Sequence, residues 1–204
     1  MRLYVAVPVC RDIKAGAVSS LAALTHPLTA PGLNGKPLEA LSLKIMQGVS
    51  LLPRGRQMAL DDAILNGFTH ILMIDDDMVY TPEVIDLMAS RNLDFVACNY
   101  QRKLENGGWI AMGKDGCYIN SDSGQGVEEA AWVGLGLVIV KTEPLLKVSK
   151  PHFEVRWIPE KQDYLGEDMF FCHKVREAGI KIHIDHDASR LVQHVGDFNY
   201  GFRM

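Results

Sequence analysis

The sequence has little of what marks a secreted or membrane-spanning chain. No stretch approaches the roughly eighteen consecutive apolar residues that a helix needs to cross a bilayer. The opening run RLYVAVPV is short, rich in β-branched residues and interrupted by Pro8, which does not fit a secretory leader. We therefore expect a soluble, cytoplasmic protein.

Cysteine is scarce and is not grouped for metal binding. The four cysteines are scattered without a CxxC pair, and three of them sit in apolar runs or helical patterns: Cys10, Cys98, Cys117 and Cys172. Small buried thiols are common in such positions. We expect all four to be reduced and structural.

An excess of positive charge is also missing. The 21 Lys and Arg residues are outnumbered by 25 Asp and Glu residues, which gives a formal net charge of -4. The chain therefore has no general attraction to nucleic acid or anionic membranes, and any anionic ligand needs a local site. Walker loops, G-x-G-x-x-G fingerprints, internal repeats and linkers are absent as well. With 204 residues and 48% hydrophobic content, residues 1–204 are expected to form one domain with a sizeable core.

What the chain does contain is an alternation of short apolar runs and helical patterns. Strands are predicted over 3–9, 70–74, 94–100 and 133–141, and a last strand between Gly179 and residue 185. Helices are predicted over 15–25, 54–68, 81–90 and 142–148, and from 166 to a stop at Gly179. Breaker-rich segments at 26–48, 102–130 and 149–165 are expected to be loops, hairpins or short extended pieces. The pattern indicates a three-layer α/β fold with a mainly parallel central sheet.

The stretch ILMIDDDM places three aspartates at the carboxyl end of a predicted strand, where open α/β sheets collect ligand-binding groups. Alternation along an extended chain sends Asp75 and Asp77 to one side and Asp76 to the other. Two carboxylates on one side suit a hard cation such as Mg²⁺ or Mn²⁺. A solvated acidic turn or a helix cap is the alternative reading.

Three further groups of residues are candidates for chemistry. Glu167 and Asp168 stand where a loop meets a helix, as a helix cap or as a general base and its neighbour. His194 follows the last strand, either as a structural histidine or as a ligand, since a neutral imidazole beside two carboxylates makes an ordinary manganese ligand set. Arg54, Arg56 and Gln57, on the helix over 54–68, are candidates for nucleotide or phosphate contacts or for a solvated helix face. The remaining histidines are assigned no ligand role.

In order, these motifs resemble the GT-A fold of nucleotide-sugar-dependent glycosyltransferases. The stretches that carry the resemblance are VAVPVCRD, RGRQMAL, GFTHILMIDDDM, VGLGLVIVK, GEDMFFCHKVREAGIKIHID and HVG, between residues 3 and 196. The resemblance implies a glycosyltransferase with one GT-A domain over residues 1–204. It implies Mn²⁺ or Mg²⁺ as cofactor and a nucleotide-sugar donor, with a UDP-sugar as the first choice.

The resemblance also implies a role for individual positions. On the donor side, Pro8 and Arg11 border the nucleotide, and Arg56 and Gln57 match an Arg-Asn position with Gln in place of Asn. Asp75 and Asp77 match the DXD motif that binds the metal, which leaves Asp76 to point away or to contact the ribose of the nucleotide. His194 matches a third metal ligand. On the acceptor side, Trp132, Gly134, Gly136 and Glu167 line the site, and Asp168 matches the catalytic base of inverting members. The acceptor is an unidentified hydroxyl, and a nucleic-acid acceptor gains no support from the acidic composition.

Two other functions fit the same motifs. A haloacid-dehalogenase-like phosphatase would use Asp75 as nucleophile and Asp77 as acid and base, but about seventy residues of α/β pattern precede the motif here, whereas that class carries it near the N-terminus. A domain that binds a nucleotide sugar without transferring it is the other alternative. A pure binding module would not need Asp168 together with Asp75 and Asp77.

Overall fold

Strands and helices alternate along much of the chain in the computed structural model, which describes residues 1–26, 32–33, 36–103, 107–196 and 199–201. The strands in the described part are β1 (Arg2–Val9), β2 (Gly32–Leu33), β3 (Lys36–Pro37), β4 (Ala40–Gln47), β5 (His70–Ile74), β6 (Met78–Tyr80), β7 (Phe95–Ala97), β8 (Val127–Ala130), β9 (Leu137–Lys141), β10 (Arg156–Ile158), β11 (Asp163–Leu165), β12 (Ile182–Asp185), β13 (Val192–Val195) and β14 (Asn199–Gly201). The helices are α1 (Ala15–Thr25), α2 (Leu52–Leu65), α3 (Pro82–Ser90), α4 (Thr142–Leu145), α5 (Glu167–Glu177) and α6 (His186–Ser189).

A seven-stranded sheet forms the centre, in the spatial order β4-β1-β5-β9-β7-β12-β8. Five of the seven strands run in one direction, and β9 and β8 run in the other. β9 lies between β5 and β7 and pairs antiparallel with both. The prediction of an α/β fold with a mainly parallel sheet is confirmed.

The two faces of the sheet are covered by different helices. Along β1, Tyr4 and Ala6 point to one face while Leu3, Val5 and Val7 point to the other, as expected for side chains that alternate along a strand. Buried residues of α2 and α5 cover the first face, and those of α1 and α3 cover the second. This arrangement makes the three layers that the sequence predicts.

Local signals account for several helix boundaries. Pro82 stands in the first turn of α3, where its fixed φ suits the helix and its missing N–H is not needed. α5 ends just before Gly179, whose φ of +82° is readily adopted only without a Cβ. Thr81 stands at the cap position of α3, but its side chain makes no hydrogen bond to the helix backbone and bonds Glu83 instead.

Segments predicted as loops contain more strand than expected. β4 is an eight-residue strand inside the segment 26–48, and every residue of it pairs with β1. β4 is an edge strand and is only partly covered. Leu41, Leu43 and Ile45 alternate with less apolar residues, which is only a weak strand signal after the Pro and Gly residues that precede it in the sequence. The segment 149–165 likewise contains the hairpin of β10 and β11. Residues 27–31, 34–35 and 104–106 lie outside the described part.

The cysteines divide evenly by exposure. Cys98 and Cys172 are buried in the core, whereas Cys10 and Cys117 are exposed, and all four are free thiols. Over the described residues, no helix has both the length and the apolar character needed to cross a membrane.

Candidate active site

The candidate site lies at the edge of the sheet where β1, β5 and β7 end. Asp75 follows β5 directly, and its N–H donates to the carbonyl of Gly136 at 2.9 Å, just before β9 begins. Because β9 runs antiparallel to its neighbours, its first residue lies beside their last ones. Groups that are 60 residues apart in sequence are thereby brought to one edge, which is where α/β sheets collect ligands.

The buried side chain of Arg56 links two carboxylates of this site, Asp75 and Glu167. Its side chain is only 2% exposed, and its Nη2 donates to Oδ1 of Asp75 at 2.7 Å. Its Nε lies 3.5 Å from Oε1 of Glu167. Burial alone would lower the pKa of Arg56, but Asp75 and Glu167 outweigh it and raise the pKa. The guanidinium therefore stays charged and sets the positions of two carboxylates from separate elements.

Asp77 lies opposite His194. Asp77 precedes β6, which pairs antiparallel with β13, and this pairing brings His194 alongside. Nε2 of His194 lies 3.4 Å from Oδ1 of Asp77, and Nδ1 lies 2.9 Å from the backbone oxygen of Gln101. A carbonyl can only accept, so Nδ1 carries a proton, and Nε2 is the ring nitrogen that faces the Asp77 carboxylate.

Lys103 completes the surroundings of Asp77, with its Nζ in contact with Oδ2. Oδ1 is buried and makes no hydrogen bond. Burial alone would raise the pKa of Asp77, but His194 and Lys103 more than compensate, so the pKa of this carboxyl is lowered. Asp77 is thus an ionised carboxylate that contacts the ammonium of Lys103 and faces the imidazole Nε2 of His194.

Asp76 points to a different part of the molecule. Its carboxyl accepts a hydrogen bond from the backbone N–H of Cys10, and its carbonyl accepts from the N–H of Lys14 at 2.9 Å. Burial, with Asp77 and Asp75 close by, raises the pKa of Asp76. These bonds fix the segment after β1 against the turn after β5.

Asp168 and Glu167 open helix α5 at the same sheet edge. Oδ1 of Asp168 accepts the N–H of Met169 at 2.7 Å. Burial is the main cause that raises the pKa of Asp168, and the neighbouring charge of Glu167 adds to it. A carboxylate with a raised pKa is a stronger base than an ordinary aspartate.

Tyr100 is the residue that the sequence reasoning missed. Its buried hydroxyl accepts the N–H of Gly136 at 2.9 Å, and its ring lies edge-on to that of His194, with the centroids 5.0 Å apart. A Cβ on Gly136 would lie 2.5 Å from the Tyr100 oxygen, and a Cβ on Gly134 would also collide with it. These two glycines, predicted to line the acceptor, make room for Tyr100. Burial and the charges of Asp75 and Asp168 raise the pKa of Tyr100.

The other predicted site residues are placed as follows. Pro8 is buried in β1 opposite Met46, and Arg11 is exposed just after that strand. The Gln57 amide is used inside the protein, because Nε2 donates to Asp61 at 3.0 Å and Oε1 accepts the N–H of His152 at 2.9 Å. Trp132 is half-buried with its Nε1 3.1 Å from the sulfur of Met112. Gln57 therefore fastens α2 to the segment before β10.

His186 forms an arrangement that looks catalytic and is not. Its Nδ1 lies 2.9 Å from Oγ of Ser121 and its Nε2 lies 3.0 Å from Oε2 of Glu128. Ser121 is fully buried and also accepts a hydrogen bond from Asn99, so no substrate reaches its hydroxyl. These bonds anchor the loop before β8 to α6.

The predicted metal ligands fit a divalent ion only in part. Among the described residues, no group of three His, Cys, Asp or Glu side chains is close enough to share one ion. The reason is local: Asp75 is drawn to Arg56, while Asp77 and His194 face each other. Asp77 and His194 still have the chemistry of a cation site, because the buried Oδ1 of Asp77, which makes no hydrogen bond, faces the imidazole Nε2 of His194. The Asp75 side chain is 29% exposed, so its carboxylate is partly accessible to a ligand.

A separate cleft of about 610 Å³ lies between β4 and α2, lined in part by Met46, Leu51, Met58 and Leu65. Of the candidate residues, Arg54 lines it, and none of the proposed metal, base or acceptor residues does. Its lining is mainly apolar and has no converging set of catalytic groups, so we place the site at the sheet edge.

Comparisons with known proteins support the fold. No protein-family model matches the sequence, and no curated protein matches it. The solved structure of A197 from STIV is similar over 97% of this chain and 87% of that chain, with a TM-score of 0.67 and 17% identity. GalNAc-T7, solved with UDP, GalNAc and Mn²⁺, is similar over 96% of this chain, with a TM-score of 0.60 and 10% identity.

These likenesses are at the level of the fold. The chain spans 44% of the GalNAc-T7 chain, so that enzyme's activity does not transfer by similarity alone. At 10% and 17% identity, only the arrangement of strands and helices is shared. The chain has a GT-A-like α/β fold, similar to that of a glycosyltransferase.

Proposed function

We propose that this protein is a metal-dependent glycosyltransferase that moves a sugar from a nucleoside-diphosphate sugar to an acceptor hydroxyl, with inversion at the anomeric carbon. One observation carries the proposal: buried Arg56 joins Asp75 at the end of β5 to Glu167 at the start of α5. On a GT-A-like fold, this link supports the assignment of Asp75 to the donor side and of Glu167 to the neighbourhood of the base. The solved GalNAc-T7 complex, which contains UDP and Mn²⁺, makes a UDP-sugar the first donor to test.

In this proposal Asp77 and His194 would hold the divalent ion, and Asp75, which pairs with Arg56 in this structure, is the third ligand that the resemblance implies. A bound divalent ion would supply positive charge to the departing diphosphate. Gln101 fixes the His194 tautomer so that Nε2 is available as a ligand, and the lowered pKa of Asp77 keeps that carboxylate ionised.

Asp168 is the base in this proposal. It removes the proton from the acceptor hydroxyl as the oxygen attacks the sugar, and its raised pKa increases its basicity. Glu167 forms an ion pair with Arg56, which would hold it in place to orient the acceptor. A single displacement by the acceptor inverts the anomeric carbon.

A thermal-shift experiment tests donor and metal together. A ligand present at about 100 times its Kd stabilises the fold by about 2.7 kcal/mol. For a chain of this size that is a rise in Tm of about 5 °C or more. We expect the rise with one UDP-sugar only when Mn²⁺ is present. If no nucleoside-diphosphate sugar shifts Tm with Mn²⁺ at millimolar concentrations, the proposal fails.

Asp168→Asn separates the transferase from a binding module. The amide oxygen still accepts the Met169 N–H, so folding and donor binding should be retained. Loss of a general base lowers the rate of transfer or of donor hydrolysis by about 10²–10⁴-fold. Unchanged turnover would remove Asp168 from the mechanism, and a phosphorylated Asp75 trapped from a phosphate ester would favour the phosphatase.

A further inference from the structure

Lys103 is in contact with a carboxylate that the proposed function assigns to a metal ion. Its Nζ contacts Oδ2 of Asp77, while Oδ1 of the same carboxylate faces Nε2 of His194. The Lys103 side chain is 33% exposed and that of Asp77 is 16% exposed, so water screens this pair only in part. A positive charge is thus already present where a divalent cation is expected.

The segment that carries Lys103 is tied to the site at a second point. The backbone oxygen of Gln101 accepts the Nδ1 proton of His194 at 2.9 Å. Gln101 bridges to Trp109, and the N–H of Arg102 donates to the carbonyl of Gly108 at 3.0 Å. The segment therefore orients one proposed ligand through its backbone and neutralises the other through Lys103.

We infer that Lys103 is an internal cation that competes with the divalent ion for Asp77. The inference rests on the proposed function. An ion between Asp77 and His194 would bring two positive charges next to the ammonium, and like charges at contact distance repel strongly in a partly buried site. The ammonium must then leave Asp77 for the ion to bind.

The same geometry gives Lys103 a role after it is displaced. The backbone is held two residues earlier by the bridge between Gln101 and Trp109, so a released ammonium would stay within a side chain's length of Asp77. A diphosphate bound to that metal would offer new anionic oxygens to a flexible lysine stem. The lysine thus balances the charge of the site in both states.

Manganese titration followed by electron paramagnetic resonance tests the competition without using activity. Lys103→Met removes the competing charge, so we expect Mn²⁺ to bind about fivefold more tightly or better, the scale of a partly exposed ion pair. Lys103→Arg keeps the charge and should stay within about twofold of the wild type. Lys114→Met is the matched control, because Lys114 pairs with Glu129 and not with a site residue. Equal or weaker binding by Lys103→Met would overturn the inference.

Lysine labelling gives a second readout on the unmodified protein. Acetylation at Lys103, measured by mass spectrometry, should increase when Mn²⁺ is added, because the ammonium leaves its carboxylate. Lys114 should not respond. If labelling of Lys103 is unchanged or falls, the displacement is refuted.

The outcomes also separate this inference from the proposed function. If Mn²⁺ binds the wild type and Lys103→Met with the same affinity, the competition is wrong and the metal-dependent transferase stands. If Mn²⁺ binds neither protein, the metal-dependent function itself fails. Asp77→Asn should abolish binding in both backgrounds, which assigns the titration to this site.

Discussion

Replacing Arg56 by Met should destabilise the protein more than any other single change of a charged residue in the site. The guanidinium is 2% exposed and neutralises Asp75 at 2.7 Å and Glu167 at 3.5 Å. Removing one partner of a buried pair costs about 3–5 kcal/mol, because the remaining charge is left uncompensated. Asp75 is 29% and Glu167 16% exposed, so water relieves part of that penalty. We therefore expect about 3 kcal/mol.

The assay is urea unfolding at pH 7, with Tm as a second measure. For a chain of 150–250 residues, 1 kcal/mol shifts Tm by about 2–4 °C, so the expected fall is about 6–12 °C. Arg54→Met is the matched control, because Arg54 is exposed on the same helix and its replacement should change stability by no more than about 0.5 kcal/mol. Arg56→Lys should be intermediate, since it keeps the charge and loses the second contact.

A small effect would refute the reasoning. If Arg56→Met costs less than about 1 kcal/mol, the guanidinium does not hold the two carboxylates. Transfer activity should also fall in this variant even at temperatures where it is fully folded. Activity at the wild-type level would show that the site does not depend on the link between Asp75 and Glu167.

Three further predictions concern other residues of the site. The pKa of Asp77 is lowered in the fold, so the ionised carboxylate stabilises the protein above the ordinary carboxyl pKa of about 4, and this stabilisation is lost at lower pH. In urea unfolding, the free energy of unfolding of Asp77→Asn should differ from that of the wild type at pH 7 and converge with it as the pH falls below about 4. Gly136→Ala should lower the free energy of unfolding by about 1–3 kcal/mol, because its Cβ would lie 2.5 Å from the Tyr100 oxygen. Gly108→Ala is the control: its Cβ would have a single neighbour at 3.2 Å, so the same assay should show almost no change. The pKa of Asp168 is raised, so on acidification kcat should begin to fall at a pH above the ordinary carboxyl range. A fall in kcat that begins only at or below about pH 4 would contradict this.

Most of the fold could be predicted because the signals are local. The stretch HILMI is a continuous apolar run, and β5 occupies those same residues. The helix over 15–25 likewise appears with the predicted bounds. β4 was missed because an edge strand is covered on one side only, and its weak alternation does not stand out from the breakers before it.

The candidate site was harder, because its contacts join residues far apart in sequence. The DDD stretch was recognisable, but nothing local says that Asp75 is bonded to Arg56 while Asp77 faces His194. Tyr100 and Lys103 follow β7 at the same sheet edge as the aspartates, and that position was the signal that could have identified them. Their partners depend on the tertiary arrangement of β5, β7, β9 and β13.

The place of β9 also bears on the order in which the molecule can fold. β9 is the only link between β5 and β7 in the sheet as described, and it ends at residue 141. A growing chain that has emerged only as far as residue 136 can pair β1 with β4 and β5, but β5 and β7 still have unsatisfied edges. Open edges of apolar strands are sites of aggregation. We therefore expect nascent chains stalled just before β9 to depend on chaperones, and chains stalled well beyond it to be much less dependent.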